Sequence, residues 1–238
     1  MIKRGTIENF AKKFQTNDQN ITNEYFQHLF LSNFYQNKEA RDIVFKGGTA
    51  LRIIYNSPRF SEDLDFSSRK IRSNEIESLL LNTLNKIEKE GVSVKITEAK
   101  TTTGGYLGII KFKDGKYSSI LKLEISFRDK KAVGEAITTS SEFGLPYIIF
   151  AINKKDLFEE KIQALLSRSK PRDYYDLYFL IRSNLLTADQ KNLVIEAKNK
   201  LRNTKIDFSR ELNNFLPKSH WPIIKDFRNH LVSELEKY

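Results

Sequence analysis

The sequence contains no cysteine, and this absence excludes two kinds of structural support. Without thiols the chain can form neither a disulfide bond nor a thiolate metal site. The three histidines, His28, His220 and His230, are far apart along the chain, which argues against a histidine-based zinc site. A metal centre built on sulfur or on clustered imidazoles is therefore not expected.

Long apolar runs are also absent. No run approaches the roughly 20 residues that a membrane-spanning helix needs, and the first ten residues, MIKRGTIENF, lack the apolar core of a signal peptide. We therefore expect a soluble, cytoplasmic protein with no membrane partner. The chain of 238 residues, with 17 phenylalanines, is long enough to build the core of one large domain or two small ones.

Two glycine-rich phosphate-binding motifs are missing as well. The sequence has no GxxxxGK[ST], which excludes a P-loop, and no GxGxxG, which excludes the dinucleotide and kinase glycine loops. Any nucleotide site must therefore be built in another way.

The most informative stretch that is present is Val44–Phe66, VFKGGTALRIIYNSPRFSEDLDF. An apolar strand ends at Lys46, and a helix is predicted over Thr49–Tyr55, so Gly47 and Gly48 form the turn between them. Glycines lack Cβ atoms and let backbone N–H groups approach a ligand closely. The N-terminus of the following helix adds donors and a partial positive charge, which favour phosphate.

Two carboxylates follow in the same stretch. Asp63 and Asp65 are separated by one residue, so along a strand they lie on the same face. Such close acids repel each other unless a cation lies between them, and Mg²⁺ commonly takes one or two carboxylates while substrate phosphates complete its shell. A phosphate cradle beside a metal-binding pair indicates a nucleoside triphosphate (NTP) substrate and phosphoryl or nucleotidyl transfer.

These residues carry a family resemblance. Gly47-Gly48 followed by Asp63-Leu64-Asp65 resembles the hG[GS]…Dh[DE]h signature of the DNA polymerase β-like nucleotidyltransferase superfamily. The longer string FKGGTALRIIY…PRFSEDLDFS resembles the AbiEii/AbiGii toxins of type IV toxin–antitoxin and phage-abortive systems. The resemblance runs from about Val44 to Leu180.

The resemblance implies a third acid on a later strand. In the alternating run LKLEIS, Glu124 shares a face with Lys122 and Ser126, and Leu123-Glu124-Ile125 matches the h[DE]h that ends the superfamily pattern. Its implied role is to join Asp63 and Asp65 around the catalytic metal and to help take the proton from an attacking hydroxyl.

A second signature lies in FEEKIQALLSRSKPRDYYDLYFL. By resemblance, Lys161 contacts nucleotide phosphates and neutralises charge in the transition state. Arg168 and Arg172 assist in nucleotide binding, and either Asp173 or Asp176 completes the site, with Asp173 preferred. A surface helix pair joined by ion pairs is the alternative.

The remaining nucleotide-binding candidates flank the acids and the glycine turn. Thr49 follows the glycine pair, and Arg59 precedes the aspartates closely enough to contact a triphosphate or, alternatively, to form a surface ion pair. Ser61 either donates to a phosphate or caps Asp63.

The pattern as a whole predicts an α+β fold with a nucleotidyltransferase-type mixed β-sheet, flanking helices and a C-terminal helical domain. Residues 1–153 form the catalytic domain, with a βαβ start and then a meander, and residues 154–238 complete the active-site cleft. The predicted strands cover residues 43–46, 63–67, 92–96, 107–112, 119–127 and 147–152. The predicted helices lie within 1–36 and over 49–55, 74–90, 157–169, a segment opening at Arg172, 188–201 (capped by Thr187), 207–215 and 221–235.

The implied function is a Mg²⁺-dependent nucleotidyltransferase toxin. It would transfer NMP from an NTP to an RNA, with the tRNA 3′ end as the implied acceptor, and would be restrained by a cognate protein antitoxin. The net charge of +10 favours an RNA or DNA partner beside such a site, although charge alone fits mere solubility equally well. Two alternatives stay open: an enzyme that acts on a protein or small molecule, and a non-catalytic module that binds nucleotide or RNA.

Overall fold

A computed structural model describes residues 2–3, 5–68, 70–128, 133–186 and 190–238. The chain forms two compact units. The first comprises Met1–Asn56 and Phe60–Ile152, and the second comprises Ser57–Arg59 and Asn153–Tyr238. The short segment Ser57–Arg59 therefore belongs to the second unit although its neighbours in sequence belong to the first.

The first unit is organised around a mixed sheet. Over the described part of the chain this sheet has seven strands in the order β3-β4-β5-β2-β1-β7-β6. The strands are β1 (Ile43–Lys46), β2 (Leu64–Ser68), β3 (Ser93–Thr102), β4 (Gly105–Asp114), β5 (Tyr117–Ser126), β6 (Gly134–Ser141) and β7 (Gly144–Ile152). The α+β class and the mixed sheet predicted from the sequence are confirmed.

The four central strands form two parallel pairs, β5–β2 and β1–β7, that run in opposite directions. β1 runs antiparallel to β2 and parallel to β7, while β2 runs parallel to β5. The outer hairpins β3–β4, β4–β5 and β6–β7 are antiparallel. The predicted βαβ start is therefore not a parallel unit, because the chain returns after its helix and pairs β2 against β1 in the opposite direction.

Helices cover one face of this sheet with aromatic side chains. The helices of the first unit are α1 (Thr6–Lys13), α2 (Asp18–Phe34), α3 (Gly47–Tyr55) and α4 (Ser73–Lys89), with a 3₁₀ turn at Lys38–Asp42. Phe26 of α2 lies 5.4 Å from Phe112 of β4 between ring centroids, and Phe34 lies 5.6 Å from Phe66 of β2. All four rings are buried, so Phe26 and Phe34 of α2 form part of the core of the first unit.

The second unit is helical. Its helices are α5 (Lys154–Arg168), α6 (Pro171–Arg182), α7 (Lys191–Arg202), α8 (Ser209–Phe215), α9 (Trp221–Lys225) and α10 (Phe227–Leu235), with a 3₁₀ turn at Lys218–His220. Tyr174, Phe208 and Phe227 pack edge to face at its centre. The predicted cap at Thr187 and helix start at Ala188 lie outside the described residues.

The structure also differs from the sequence prediction at one strand and at the last predicted helix. Strand β6 was not predicted, because its GEAITTSS sequence offers few apolar residues and lies at the edge of the sheet. The single helix predicted over residues 221–235 is divided at Asp226, whose backbone φ and ψ of −123° and 34° are not helical.

Phe66 tests the aromatic core directly. This side chain is 1% exposed and contacts both Phe34 and Phe45. Phe66→Ala should lower the free energy of unfolding by about 3–5 kcal/mol, because it removes a buried ring and leaves a cavity. Urea denaturation measures this, with Ile120→Ala as the control at a side chain that is 62% exposed. Equal effects of the two substitutions would contradict the assignment.

Candidate active site

Asp65 of β2 lies on the face of the sheet away from the aromatic core, and Asp63 directly precedes the strand. Leu64 and Phe66 are 0% and 1% exposed, whereas Asp63 and Asp65 are half-buried. Side chains alternate along a strand, so Asp65 lies on the face opposite Leu64 and Phe66. The strand predicted over residues 63–67 begins at Leu64 instead, so a shared face for Asp63 and Asp65 stays a prediction.

The parallel pairing of β2 with β5 brings the third acid beside this pair. Asp65 is in register with Glu124, and Leu64 is in register with Leu123. Neighbours in register on adjacent strands lie on the same face, at the inter-strand spacing of about 4.8 Å between backbones. Asp65 and Glu124 are therefore side by side, as the family pattern implied.

The glycine turn closes against the same acids. Lys46, the last residue of β1, is in register with Asp65, and α3 begins at the next residue, Gly47. Gly47 has a φ of +82°, which L side chains rarely adopt, and an added Cβ would lie 2.8 Å from the Cβ of Asp65. Both the backbone and the space beside Asp65 therefore require glycine here.

Thr49 connects α3 to the backbone of Asp63 through a hydrogen bond. Its buried hydroxyl Oγ1 donates to the carbonyl oxygen of Asp63 at 2.5 Å. This hydroxyl therefore positions the backbone next to the aspartates. No side chain of the protein caps the N-terminus of α3, and the first turn of the helix contains no acidic residue. The partial positive charge at this helix end therefore lies beside Asp65 and is not offset by an acid within α3.

Lys122 links the three acids electrostatically. It forms an ion pair with Glu124 on the same strand, and both side chains are about half exposed. The hydrogen bond to Glu124 raises the pKa of Lys122, and the negative charges of Glu124, Asp63 and Asp65 raise it further. One ammonium group therefore experiences the field of all three carboxylates.

The donors of Asp63, Asp65 and Glu124 are oxygens only, which is the kind of donor that a divalent cation such as Mg²⁺ takes. The missing side chain of Gly47 leaves the space that the Asp65 carboxylate occupies. Among the described residues, however, no three acidic, histidine or cysteine side chains are gathered as a metal site. Glu124 forms an ion pair with Lys122, and the predicted metal ligand set of Asp63, Asp65 and Glu124 stays a prediction.

Ser61 lies at the entry to this segment. It is half-buried, and its carbonyl oxygen accepts a hydrogen bond from Gln27 Nε2 at 2.8 Å. The backbone before the aspartates is thereby tied to α2.

The other predicted residues form a separate cluster within the second unit. Arg59 donates two hydrogen bonds to the carboxylate of Asp176, from Nε to Oδ1 at 2.7 Å and from Nη2 to Oδ2 at 2.9 Å. Lys161 Nζ donates to Asp176 Oδ2 at 2.8 Å. All three side chains are at most 8% exposed, so Arg59 is a buried ion-pair residue and not the surface one that was the alternative.

Two basic groups determine the charge state of Asp176. Burial by itself raises the pKa of a carboxyl group, but the charges of Arg59 and Lys161 outweigh this effect and hold the pKa of Asp176 below its ordinary value of 3.8. The carboxylate is therefore ionised throughout the physiological range.

Asp173 stabilises the start of α6 and does not pair with Lys161. Its fully buried carboxylate accepts from the backbone N–H of Lys170 at 3.0 Å, which caps α6, and from Arg168 Nη2 at 2.7 Å. Arg172 Nε donates to Glu211 Oε1 at 2.5 Å. Of the two acids left open by the sequence, Asp176 and not Asp173 is the partner of Lys161.

A family model described as the nucleotidyl transferase AbiEii toxin of a type IV toxin–antitoxin system matches residues 29–237. The chain belongs to the AbiEii family. The predicted resemblance is confirmed, and it extends beyond the expected limits of Val44 and Leu180. As a member of this family, the chain is a nucleotidyltransferase, and its membership implies an NTP substrate and an antitoxin partner.

Individual proteins resemble this chain in sequence or in fold. The Aquifex aeolicus (strain VF5) protein aq_aa25 is 28% identical over 199 residues, which are 84% of this chain and 82% of the relative. MenT4, a nucleotidyltransferase toxin of Mycobacterium tuberculosis H37Rv, has a similar fold with a TM-score of 0.71 at 16% identity, covering 100% of this chain and 91% of its own. JHP933 from Helicobacter pylori gives a TM-score of 0.64 at 22% identity, with 93% and 92% covered.

Nucleotidyltransferases generally use a divalent metal ion, which agrees with the oxygen-only donors of β2. Within the residues that the structure describes, no helix has both the length and the apolar character needed to cross a bilayer.

Sequence reasoning did not assign a role to two lysines that lie next to the candidate acids. Lys46 and Lys122 flank the acids through strand register, Lys46 beside Asp65 and Lys122 on the strand of Glu124. The alternation of LKLEIS already placed Lys122 on the face of Glu124, so the signal was available. The role of Lys46 depends on the β1–β2 pairing, which local pattern does not reveal.

Gly47→Ala should destabilise the enzyme more than the same change at another left-handed glycine. Gly115 also has a positive φ, of +59°, but nothing lies within 4 Å of an added Cβ there. Gly115→Ala should cost about 1 kcal/mol from backbone strain, and Gly47→Ala at least about 1 kcal/mol more because Asp65 must move. Urea denaturation of both variants measures the difference, and equal costs would refute the close contact.

Asp176→Asn should destabilise the enzyme by about 3–5 kcal/mol at neutral pH, because it leaves Arg59 and Lys161 buried with no carboxylate. The folded-state pKa of Asp176 lies below its unfolded value, so its contribution is complete above about pH 4 and is lost as the pH falls through the folded-state pKa. The stability gap between wild type and variant should therefore shrink in acid.

Urea denaturation at several pH values checks this expectation. The control is Asp42→Asn, in an exposed ion pair with Lys70 at 2.9 Å, which should change stability by less than about 1 kcal/mol. A gap that is small at neutral pH, or constant through the acid range, would contradict the role of Asp176.

Proposed function

We propose that this AbiEii-family enzyme transfers an NMP from an NTP to an RNA 3′ end, with tRNA as the first candidate, in the presence of Mg²⁺, and that this transfer arrests growth. The observation that supports the proposal is the row of Asp65 and Glu124 on adjacent strands beside the Gly47 turn. The net charge of +10 favours a polyanionic acceptor.

Asp63 and Asp65 hold the metal in this proposal. A bound divalent cation supplies charge neutralisation for the triphosphate. The glycine turn and the N-terminus of α3 contribute N–H donors and a positive partial charge for phosphate oxygens. Thr49 keeps Asp63 in place through its backbone carbonyl, so the acids and the phosphate donors stay at a fixed separation.

Glu124 acts on the acceptor. Its carboxylate is about half exposed, so an RNA hydroxyl can reach it. It accepts the proton of the 3′ hydroxyl as the oxygen attacks the α-phosphorus in line. The new P–O bond forms as the bond to the pyrophosphate breaks, and pyrophosphate leaves.

Among the basic residues of the second unit, we propose Lys161 as the phosphate ligand. Its ammonium group carries three donors, and its bond to Asp176 fixes the direction of the side chain. Asp176 therefore replaces Asp173 as the positioning acid in our proposal. Arg168 and Arg172 already pair with Asp173 and Glu211, which favours a structural role for them.

Asp65→Asn should reduce nucleotide transfer by about a thousandfold or more while leaving thermal unfolding close to that of wild type, because it removes one metal-binding charge without changing size. The assay incubates each labelled NTP with total tRNA and Mg²⁺, then maps the labelled end. Glu62→Gln is the matched control, since Glu62 is an exposed acid immediately before Asp63.

The outcomes separate the candidate functions. Full transfer by Asp65→Asn would contradict the site. Label on protein or on a small molecule, with none on RNA, would favour the alternative acceptor class. Tight NTP binding without pyrophosphate release would favour a binding module. Growth arrest on expression of wild type and not of Asp65→Asn would connect the chemistry to toxicity.

A further inference from the structure

Strands β3, β4 and β5 present one of their two faces to solvent. On the core face, Phe112, Leu121 and Leu123 are at most 1% exposed. Side chains alternate along a strand, so the residues between them lie on the other face. Ile120 on that face is 62% exposed. The sheet therefore has an accessible surface on the same face as Glu124.

Lysines dominate this surface. Cross-strand register places five lysines and two glutamates on it, so the three strands carry a net formal charge of +3 there: Lys95, Lys100, Lys111, Lys113 and Lys122, with Glu98 and Glu124. Each glutamate forms an ion pair with a lysine of its own strand, Glu98 with Lys100 and Glu124 with Lys122. The excess charge therefore belongs to the other three lysines.

We call Lys95, Lys111 and Lys113 the lysine patch. All three are exposed, and none of them forms an ion pair within the part of the chain that the structure describes. Lys95 and Lys111 are directly opposite each other on β3 and β4, and Lys113 lies two residues further along the same face of β4.

The lysine patch is unfavourable for the protein on its own. Like charges that face each other across an antiparallel pair are destabilising, and residues two apart on a strand are only about 7 Å apart. A polyanion with closely spaced charges can neutralise all three ammonium groups at once. The phosphates of a nucleic acid backbone have this property.

The lysine patch is also continuous with the candidate active site. Lys111 is in register with Ile120, which precedes Glu124 by four residues on β5. At about 3.4 Å per residue, the patch begins about 13 Å from the Glu124 position along the sheet. Because one strand of a duplex rises about 3.4 Å per nucleotide, a few nucleotides cover this distance.

We propose that the lysine patch binds backbone phosphates of the acceptor RNA, a few nucleotides before its 3′ end, and thereby directs the 3′ hydroxyl towards Glu124. This inference rests on the proposed function, in which RNA is the acceptor. Lysine contacts with phosphates position a nucleic acid but carry no base sequence information. The patch therefore contributes affinity and orientation, and it takes no part in the chemical step.

The test measures the binding of a 5′-labelled tRNA pool to the full chain by fluorescence anisotropy at several salt concentrations. The triple variant Lys95→Gln, Lys111→Gln, Lys113→Gln should bind about tenfold or more weakly at about 0.1 M salt, with a salt slope smaller by about 2, because three phosphate contacts are lost. In the transfer assay, the KM for tRNA should rise by a similar factor, while kcat and the KM for the NTP should stay within about twofold of wild type.

The matched control removes three charges from other exposed positions in the first unit. Lys12, Lys38 and Lys89 lie on α1, on the 3₁₀ turn and on α4. The triple variant Lys12→Gln, Lys38→Gln, Lys89→Gln has the same net charge as the patch variant, so it reports the general effect of charge on RNA binding. Its tRNA affinity should stay within about twofold of wild type.

Thermal unfolding without RNA provides a second readout. The patch variant should melt at the wild-type temperature or above it, because the repulsion between Lys95 and Lys111 is removed. A lower melting temperature would show instead that these lysines support the fold.

The remaining outcomes separate the inference from the proposed function. If wild type labels RNA and the patch variant has unchanged tRNA affinity and KM, the inference alone is refuted. Equal weakening in the control variant would assign the effect to net charge and refute it too. A fall in kcat at constant KM would place the lysines in the chemical step. If wild type neither binds the tRNA pool nor labels RNA, the proposed acceptor fails together with the inference.

Discussion

The parallel pairing of β2 with β5 is the constraint on which the candidate site depends. It sets Asp65 beside Glu124 and, on the opposite face, Leu64 beside Leu123. A shift of one residue in this register would move the acids out of line and place a leucine next to a charge. The buried leucines therefore hold Asp65 and Glu124 in register, and the hydrophobic core to which α2 and α4 contribute supports the acids on the opposite face of the sheet.

A second constraint comes from the start of α3. Gly47 lies against Asp65, and the Thr49 hydroxyl holds the carbonyl of Asp63, so both aspartates are fixed by a segment only a few residues long. The same segment begins the helix whose positive end would face phosphate. In the second unit, Asp176 similarly gathers Arg59 and Lys161, which fixes a buried basic pair around one acid. In both units the charged groups owe their positions to neighbours that are packed or hydrogen bonded.

Local pattern predicted the parts of the site that lie close together in sequence. The glycine pair and the alternating Asp63-Leu64-Asp65 needed only strand and turn rules, and Glu124 followed from the family pattern. What could not be predicted depends on contacts between distant segments. Arg59 and Asp176 are 117 residues apart, and no periodicity relates them. Strand β6 was missed for another reason: an edge strand needs few apolar residues, so GEAITTSS carries little signal.

The left-handed conformation of Gly47 has a genetic consequence. Every other amino acid brings a Cβ into the space of Asp65 and adds strain to the backbone, so almost any missense change in this one codon displaces the Asp65 side chain. For a protein whose activity harms its own cell, such a codon is a readily available route to survival. Cultures selected for escape from the toxin should accumulate changes at this codon, along with the codons of the acids themselves.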